Sequence, residues 1–479
     1  MPHLSHDPSA EDEGPSSTQA LELDLAPRKA RVFRGESIDL ELSVRNTDPR
    51  ARRYALAPVP GNNAVKFRLT DEAGEERGPF GDGAAAARRG VPADTDHAGY
   101  EIEIAPLDIE ESVFDLLPRA GEVEPGRWVV TAELDAELAE VSASFEVLDE
   151  VPAPLRVHET WDYDRGARSD GLLAWSTDTG EHAGTYLRVR PADDFAQVLA
   201  NRRISERVAR EGLHVTRAAS FFSRRRHVVW REEQQLVVVV VEDELPLAEH
   251  TLSAEGFLGA WTDASGAFVL ARVREGQVVA ERRPYREGQA GSETVLGPAG
   301  EGAAEREPVA AAWVSCHGPV WVGWHVNGTQ HLAGARLDER GSLESFAHHQ
   351  LKRAGEALWL EIRRGPQDEA GEQPQVMLLT RSDDASLCRW IPGQEPELLA
   401  EDPLPAGRLR GALLAQRLNV LVERRDHLIL APFGGAWTDL DPARFPPDHT
   451  QLVAAPRSRE GKLYLRAGFE YTALDDLEA

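Results

Sequence analysis

A chain of 479 residues is long enough for two to four domains with a large buried core, and its two cysteines, Cys316 and Cys388, exclude a fold held together by a disulfide framework. The formal charge of −28, from 53 basic and 81 acidic side chains, excludes a nucleic-acid backbone as the general partner. The basic set is almost all arginine, with lysine only at Lys29, Lys66, Lys352 and Lys462, which reads as a GC-rich bacterial coding bias and carries no functional signal.

Residues 1–19 are polar and acidic, too poor in apolar side chains to offset the entropy of ordering, and a disordered acidic tail is expected there. They have neither the basic start nor the apolar stretch of a secretory signal, and no later stretch approaches 18 uninterrupted apolar residues. A soluble, cytoplasmic chain with no membrane partner is the expectation.

From Leu21 the pattern becomes period-two. Leu21, Leu23 and Leu25 alternate with acids, and Ile38, Leu40, Leu42 and Val44 alternate with Asp39, Glu41, Ser43 and Arg45. Further strands are predicted at Val65 to Leu69, Tyr100 to Ile104, Trp128 to Leu134 and Val141 to Leu148, with a Glu124-Pro125-Gly126 turn leading into Trp128. Six or seven strands in this space make a β-sandwich over residues 20–150, with a long exposed loop at 75–98. The run from Arg34 to Asn46, taken with Pro125 to Ala132, resembles the immunoglobulin-like modules of bacterial multidomain proteins; the cysteine pair of antibody-type domains is absent, so nothing about antigen-style recognition carries over.

Asp149-Glu150-Val151-Pro152-Ala153-Pro154 reads as a stiff linker, since each proline fixes its own φ and restricts its predecessor. After it a phrase recurs: small residues lead into a tryptophan, a turn follows, and a β-rich run returns. It appears at Leu173-Ala174-Trp175, Gly259-Ala260-Trp261 and Ala311-Ala312-Trp313, with weaker copies at Ala357-Leu358-Trp359, Ala412 to Ala415 and Leu452 to Ala455. Repeats of roughly 40 to 50 residues accommodate four strands each. The fold class is therefore all-β, an immunoglobulin-like β-sandwich followed over 151–479 by a roughly seven-bladed β-propeller. Residues 155–165 are expected to pair with the last repeat and close the ring, and Trp175, Trp261, Trp313 and Trp359 to pack between neighbouring repeats. Helix is scarce: only Asp194 to Glu211 could support one, and its Arg202, Arg203, Arg207 and Arg210 sit equally well on an exposed strand or loop.

Few groupings could carry chemistry. Ser176-Thr177-Asp178-Thr179-Gly180 resembles the first half of the aspartate box of sialidase-like propellers, but His182 and Ala183 stand where the box has Thr and an aromatic; Thr262 to Gly266 and Ser382 to Ser386 match less well. The resemblance implies a turn in which the Asp caps backbone N–H groups, not a catalytic centre. Cys316, His317, His325, His331, His348 and His349 lie close in sequence, yet no Cys-x₂-Cys accompanies them and strand alternation divides them between faces, so no metal site is assigned. Asn327-Gly328 reads as a type I′ hairpin turn. The one dense basic patch, Arg224, Arg225, Arg226 and His227 followed by Arg231, is a candidate docking point for an acidic partner, a phosphate or the chain's own acidic tail Glu11-Asp12-Glu13, against the plainer reading of a solvated loop. No phosphate-binding glycine loop or nucleophile elbow occurs. The expected function is a non-catalytic protein-interaction or scaffolding module with a protein partner and no cofactor. The alternatives are a propeller enzyme with a central-channel site, such as a glycosidase-like hydrolase, and a structural subunit of a larger assembly.

Overall fold

The structure is a computed structural model that describes residues 21–55, 65–80, 86–88, 101–116, 123–134, 139–161, 171–189, 200–216, 225–242, 245–263, 265–283, 291–300, 309–314, 319–352, 355–368, 371–382, 384–414, 417–454 and 463–477. It is all-β: among these residues the only helical turns are two short 3-10 turns, Gly180–His182 and Leu474–Asp476. No helix among them is long and apolar enough to cross a membrane. The chain divides into two compact units, Met1–Glu150 and Val151–Ala479.

In the first unit Arg52–Ala55 pairs with Glu101–Ile104 in a two-stranded sheet, and the alternating segments build two larger ones. One runs Leu21–Pro27, Ile38–Asn46, Ile109–Leu116, Ala86–Arg88; the other runs Arg31–Phe33, Ala139–Leu148, Gly126–Leu134, Val65–Asp71, Glu76–Phe80. Alternation sends Leu21, Leu25, Leu40, Leu42 and Val44 from one sheet and Val65, Phe67, Leu69, Val130 and Val147 from the other into a single core, which gives the unit its sandwich character. Asn46 ends its strand because its side chain replaces ladder partners: Nδ2 donates to the carbonyls of Ile104 and Ala105 at 3.2 and 3.1 Å. Trp128 fixes the Glu124-Pro125-Gly126 turn by donating Nε1–H to the Glu124 carbonyl at 2.9 Å. The loop expected at 75–98 is partly ordered strand, since Glu76–Phe80 and Ala86–Arg88 join the two sheets; the rest of that segment and the 1–19 tail lie outside the described residues.

The second unit is a succession of antiparallel sheets whose strands follow chain order, six with four strands and a last with three. The first sheet holds Arg156–Trp161, Gly171–Thr177, Gly184–Val189 and Ala200–Ser205; the second, Glu211–Val215, Arg225–Glu232, Gln235–Glu242 and Leu245–Ser253; the third, Phe257–Thr262, Phe268–Arg274, Gln277–Arg283 and Ser292–Pro298. The fourth begins at Val309, the fifth at Glu356 and the sixth at Arg408, while the seventh comprises Thr450–Ala454, Leu463–Ala467 and Glu470–Ala473. Of the segment Asp194 to Glu211, residues 194–199 lie outside the described residues, and the rest contains the strand Ala200–Ser205 and the start of the strand Glu211–Val215, with Arg202 buried rather than exposed.

Each sheet shares a hydrophobic cluster with the next. Ala174, Leu187 and Ile204 meet Val228, Trp230 and Val239 between the first and second; Val229 and Val238 meet Phe268 and Leu270 between the second and third; Trp261 and Val278 meet Val322 and Trp324 between the third and fourth. The series continues with Trp321 against Leu360, Leu379 against Val420, and Leu421 against Leu465. Trp175 and Trp261 are fully buried and Trp359 packs on the cluster between the fifth and sixth sheets, as core packing requires; the side chain of Trp313 lies outside the described residues.

The last sheet also touches the first, through side chains. Phe469 packs edge-on to Trp175 at 5.1 Å, with the Arg188 guanidinium 3.3 Å over its ring. Glu159, buried on the first sheet, lies 3.1 Å from the Arg466 guanidinium and accepts the Tyr471 hydroxyl at 2.9 Å. Arg466 is wholly buried and also donates to the Gln451 side chain at 2.5 Å and the Gly468 carbonyl at 2.8 Å. The expected strand pairing of residues 155–165 with the last repeat is thus corrected. Arg156–Trp161 pairs with Gly171–Thr177 as the first strand of the first sheet, because the segment up to Ser205 already supplies four strands there.

Two outcomes test these contacts. Glu159→Ala leaves Arg466 buried without its carboxylate and should cost about 3–5 kcal/mol in urea unfolding, whereas Glu344→Ala, which breaks an exposed pair with Arg336, should cost about 0–1 kcal/mol; equal costs would show that the Glu159 contact bears no load. Gly256 and Gly276 both have positive φ, +63° and +74°, but a Cβ at Gly256 would sit 2.2 Å from the Val273 carbonyl oxygen while none would meet anything at Gly276. Gly256→Ala should therefore lower Tm by clearly more than Gly276→Ala, whose effect is backbone strain alone.

Candidate ligand-binding cleft

The dense basic stretch of the sequence becomes the second strand of the second sheet, and alternation splits it between faces. Arg225, His227, Val229 and Arg231 face the third sheet side, and Arg226, Val228 and Trp230 the other. Arg225 is buried and pairs with Glu242 at 2.6 Å; Arg226 is half-buried and donates to the Arg225 carbonyl at 2.9 Å; Arg231 is half-buried; Arg224 lies outside the described residues. The four described residues of the patch, Arg225, Arg226, His227 and Arg231, are therefore not brought together as one exposed surface. What the fold isolates among them is His227.

His227 is 0% exposed. Its backbone N–H donates to Thr216 Oγ1 at 3.0 Å, Thr216 Oγ1 lies 2.6 Å from Thr262 Oγ1, and Thr262 Oγ1 lies 2.9 Å from His227 Nδ1. Burial, reinforced by the nearby charges of Arg225, His250 and Arg226, pushes its pKa down to about 3, so the ring is neutral at ordinary pH. Either hydroxyl can donate in this chain, and which ring nitrogen carries the imidazole proton follows from which does. Nε2 is buried and has no hydrogen-bond partner among the described residues.

His227 forms part of the wall of a cleft of about 660 Å³ between the second and third sheets. One side is apolar, from Val238, Val240 and Leu252 with His250 at its edge; the other carries Phe268, Glu281, Arg282, Arg283 and Glu293. Phe268 stands 5.0 Å from the His227 ring. The charges on this wall are matched locally. Glu281 meets Arg272 at 3.0 Å and Arg283 at 3.1 Å, Arg274 holds Glu293 at 2.7 Å, and Arg282 reaches Asp263 at 2.7 Å.

The neighbouring interface shows why space remains here. Between the third and fourth sheets, Trp324, His331 and His348 stack within 13° of parallel at 5.0 to 5.9 Å, and Gly297 admits the His348 ring where a Cβ would stand 2.8 Å from it. Valines and ion pairs occupy the interface between the second and third sheets, and they do not fill it. The sequence cluster of histidines thus resolves largely into packing: burial and the neighbouring His348 and His325 lower the His331 pKa to about 4. Cys316 and His317 lie outside the described residues, and no group of three metal-ligating side chains occurs among the described ones.

The aspartate-box look-alikes are turns. Asp178 is exposed, while Asp263, in the poorer match, caps its turn by accepting the N–H groups of Ser265 at 2.8 Å and Ala267 at 2.9 Å. The same Asp-x-x-Gly geometry recurs at Asp71 and Asp338, so it is a general hairpin device of this chain. Asn327 and Gly328 have φ of 46° and 71°, as a type I′ turn requires.

No family model matches the sequence, and no curated protein matches it. Among solved structures the chain is similar to the SapL1 lectin in complex with alpha methyl fucoside, at 9% identity and a TM-score of 0.35, over 60% of this chain and 96% of that one. It is also similar to a prolyl endopeptidase, at 10% identity and a TM-score of 0.32 over 71% of this chain and 50% of that one, and to a PapD-like domain of human CEP192, at 13% identity and a TM-score of 0.15 over 32% and 99%.

The buried state of His227 has a pH signature. Below about pH 6.5 the unfolded chain takes up a proton that the folded ring refuses until about pH 3, so the unfolded state binds more protons in that window and stability falls as pH falls through it. His227→Phe should remove this contribution. The difference in unfolding free energy between wild type and variant should therefore shift in favour of the variant by up to tenfold in the folding equilibrium per pH unit between 6.5 and 3; a difference independent of pH would contradict a buried neutral ring.

Proposed function

We propose that this protein is a non-catalytic binding module: an immunoglobulin-like sandwich followed by a ring of seven sheets, a seven-bladed propeller, whose ligand enters the cleft between the second and third blades. The ring is supported by the contacts of Glu159, Trp175 and Arg188 with Arg466, Phe469 and Tyr471, which join the last sheet to the first. The scaffolding role, with further partners on the loop surfaces, is the wider setting of the same reading.

The observation that carries the binding reading is the state of His227. A histidine hydrogen-bonded to a threonine invites comparison with a base and its nucleophile, but a ring with a pKa near 3 is a poor base at neutral pH, and Thr262 is completely buried. The two carboxylates lining the cleft are both paired, Glu281 with Arg272 and Arg283 and Glu293 with Arg274. Groups placed this way orient and recognise; they do not transfer protons. A cleft of about 660 Å³ with an apolar side and a few convergent polar groups has the size and lining of a small-molecule site.

Val240→Phe fills the cleft from its apolar wall. Small molecules extracted from immobilised wild-type and variant protein after exposure to the same metabolite mixture should differ, with at least one compound retained roughly tenfold more by wild type, provided the circular dichroism spectra agree. Identical retention would remove the cleft from the function. Stoichiometric consumption of a retained compound by wild type would overturn the non-catalytic reading.

A further inference from the structure

We infer that the outer strand of the fifth sheet, Glu397–Asp402, is a docking edge for an extended segment of a partner protein, one that alternates basic and apolar side chains. The inference goes beyond the cleft between the second and third sheets and uses none of its residues.

Three observations converge on this strand. It ends its sheet: it pairs with Ala385–Trp390 on one side, and among the described residues nothing pairs with its other edge, whose backbone N–H and C=O groups can receive a further strand. Second, a bulge breaks its alternation. Leu398 stands opposite Cys388 and Ala400 opposite Leu387, so Leu399 has no cross-strand partner. Two adjacent leucines that strict alternation would send to opposite faces are exposed together, at 51% and 40%. Neither joins the hydrophobic clusters that tie the fifth sheet to the fourth and sixth, where the strand's only member is Ala400. Third, the leucines are flanked by acid. Between Ile391 and Asp402 the chain carries Glu395, Glu397, Glu401 and Asp402 and no basic residue. Glu397 pairs with Arg389 on the neighbouring strand, while Glu401 accepts the Ser386 hydroxyl at 3.1 Å and Asp402 the Gly434 N–H at 2.9 Å.

The charge pattern selects the occupant. Acidic gatekeepers normally flank apolar residues that a core requires, and Leu398 and Leu399 serve no core. A second copy of the strand fits poorly: antiparallel pairing about its centre sets Glu397 opposite Asp402, and like charges directly opposite one another destabilise a pair. A segment with arginine or lysine against the acids and branched apolar side chains against the leucines meets every group the edge offers. Its cations neutralise the carboxylates, its apolar side chains cover the leucines, and main-chain hydrogen bonds run along the strand.

Three fluorescein-labelled octapeptides test this when titrated into full-length protein at about 150 mM salt: alternating arginine and valine, alternating arginine and serine, and alternating glutamate and valine. The arginine–valine peptide should bind at least about tenfold more tightly than either of the others and should slow hydrogen exchange at the amides of Glu397–Asp402. Leu398→Ser combined with Leu399→Ser should weaken it by about tenfold. Glu395→Gln combined with Glu401→Gln should weaken it by a similar factor and flatten its dependence on salt. Val295→Thr changes a comparably exposed apolar side chain on the outer strand of the third sheet and should leave binding as it is. All of these side chains are at the surface, so the variants keep the fold, which circular dichroism checks. Equal binding of the arginine–serine peptide, a leucine double variant that binds like wild type, or no binding by any of the three overturns the inference. Sedimentation as a dimer that the leucine double variant dissociates overturns it as well, by making a second copy the occupant.

Discussion

The second unit depends on one constraint: its sheets are apolar on both faces. The run Leu236 to Val241 states it most plainly, since strand alternation sends Leu236, Val238 and Val240 to one face and Val237, Val239 and Val241 to the other, and all six are buried. A sheet of this kind is stable only when covered on both sides, so each needs two neighbours. The hydrophobic clusters supply them in chain order, one per pair of sheets. The first and last sheets each have one such neighbour in chain order, and they touch one another where Phe469 meets Trp175 and where Arg466 and Tyr471 meet Glu159.

That final contact is more polar than most of the others. Apolar side chains dominate the clusters between successive sheets, with ion pairs such as Arg282–Asp263 added at the second and third, whereas the contact of the last sheet with the first centres on a buried ion pair bolstered by two further hydrogen bonds from Arg466. Aliphatic packing is indifferent to which sheet meets which, because any two leucine-rich faces attract. A buried carboxylate and guanidinium accept one register only, since any other leaves a charge without its partner. Placing the polar lock where two chain segments more than 300 residues apart must find one another puts specificity where the chain connection cannot provide it.

Much of this was legible in the sequence because period-two patterning survives wherever one or both faces of a strand are buried. The six strands expected in the first unit are all present, and the Ala-Trp phrases mark strands whose tryptophans are buried at Trp175 and Trp261. The strand Arg156–Trp161 was assigned to the wrong partner since His158, Glu159 and Thr160 give it no apolar alternation; its Glu159 is buried by an ion pair that only tertiary structure supplies. Ile109–Leu116 went unread for a similar reason, with Glu110, Glu111 and Asp115 masking the buried Phe114 and Leu116. The cleft was harder still. Arg224 to Arg231 reads as a charged loop by composition, and the signal that corrects it lies in pairing: opposite the buried run Leu236 to Val241, the odd residues Arg225, His227 and Val229 must share a face turned inward.

The cleft and the frame are coupled through the same short hydrogen-bond chain. Thr216 closes the first strand of the second sheet, Thr262 closes that of the third, and their hydroxyls meet at 2.6 Å. His227 joins this link twice, through its backbone N–H to Thr216 and through Nδ1 to Thr262. Parting the sheets by an ångström would break the hydroxyl contact and leave buried polar groups without partners, a cost that resists any change in their spacing. The width of the cleft is therefore set by buried polar chemistry at the ends of two strands, and the valines that line it need only leave the space open.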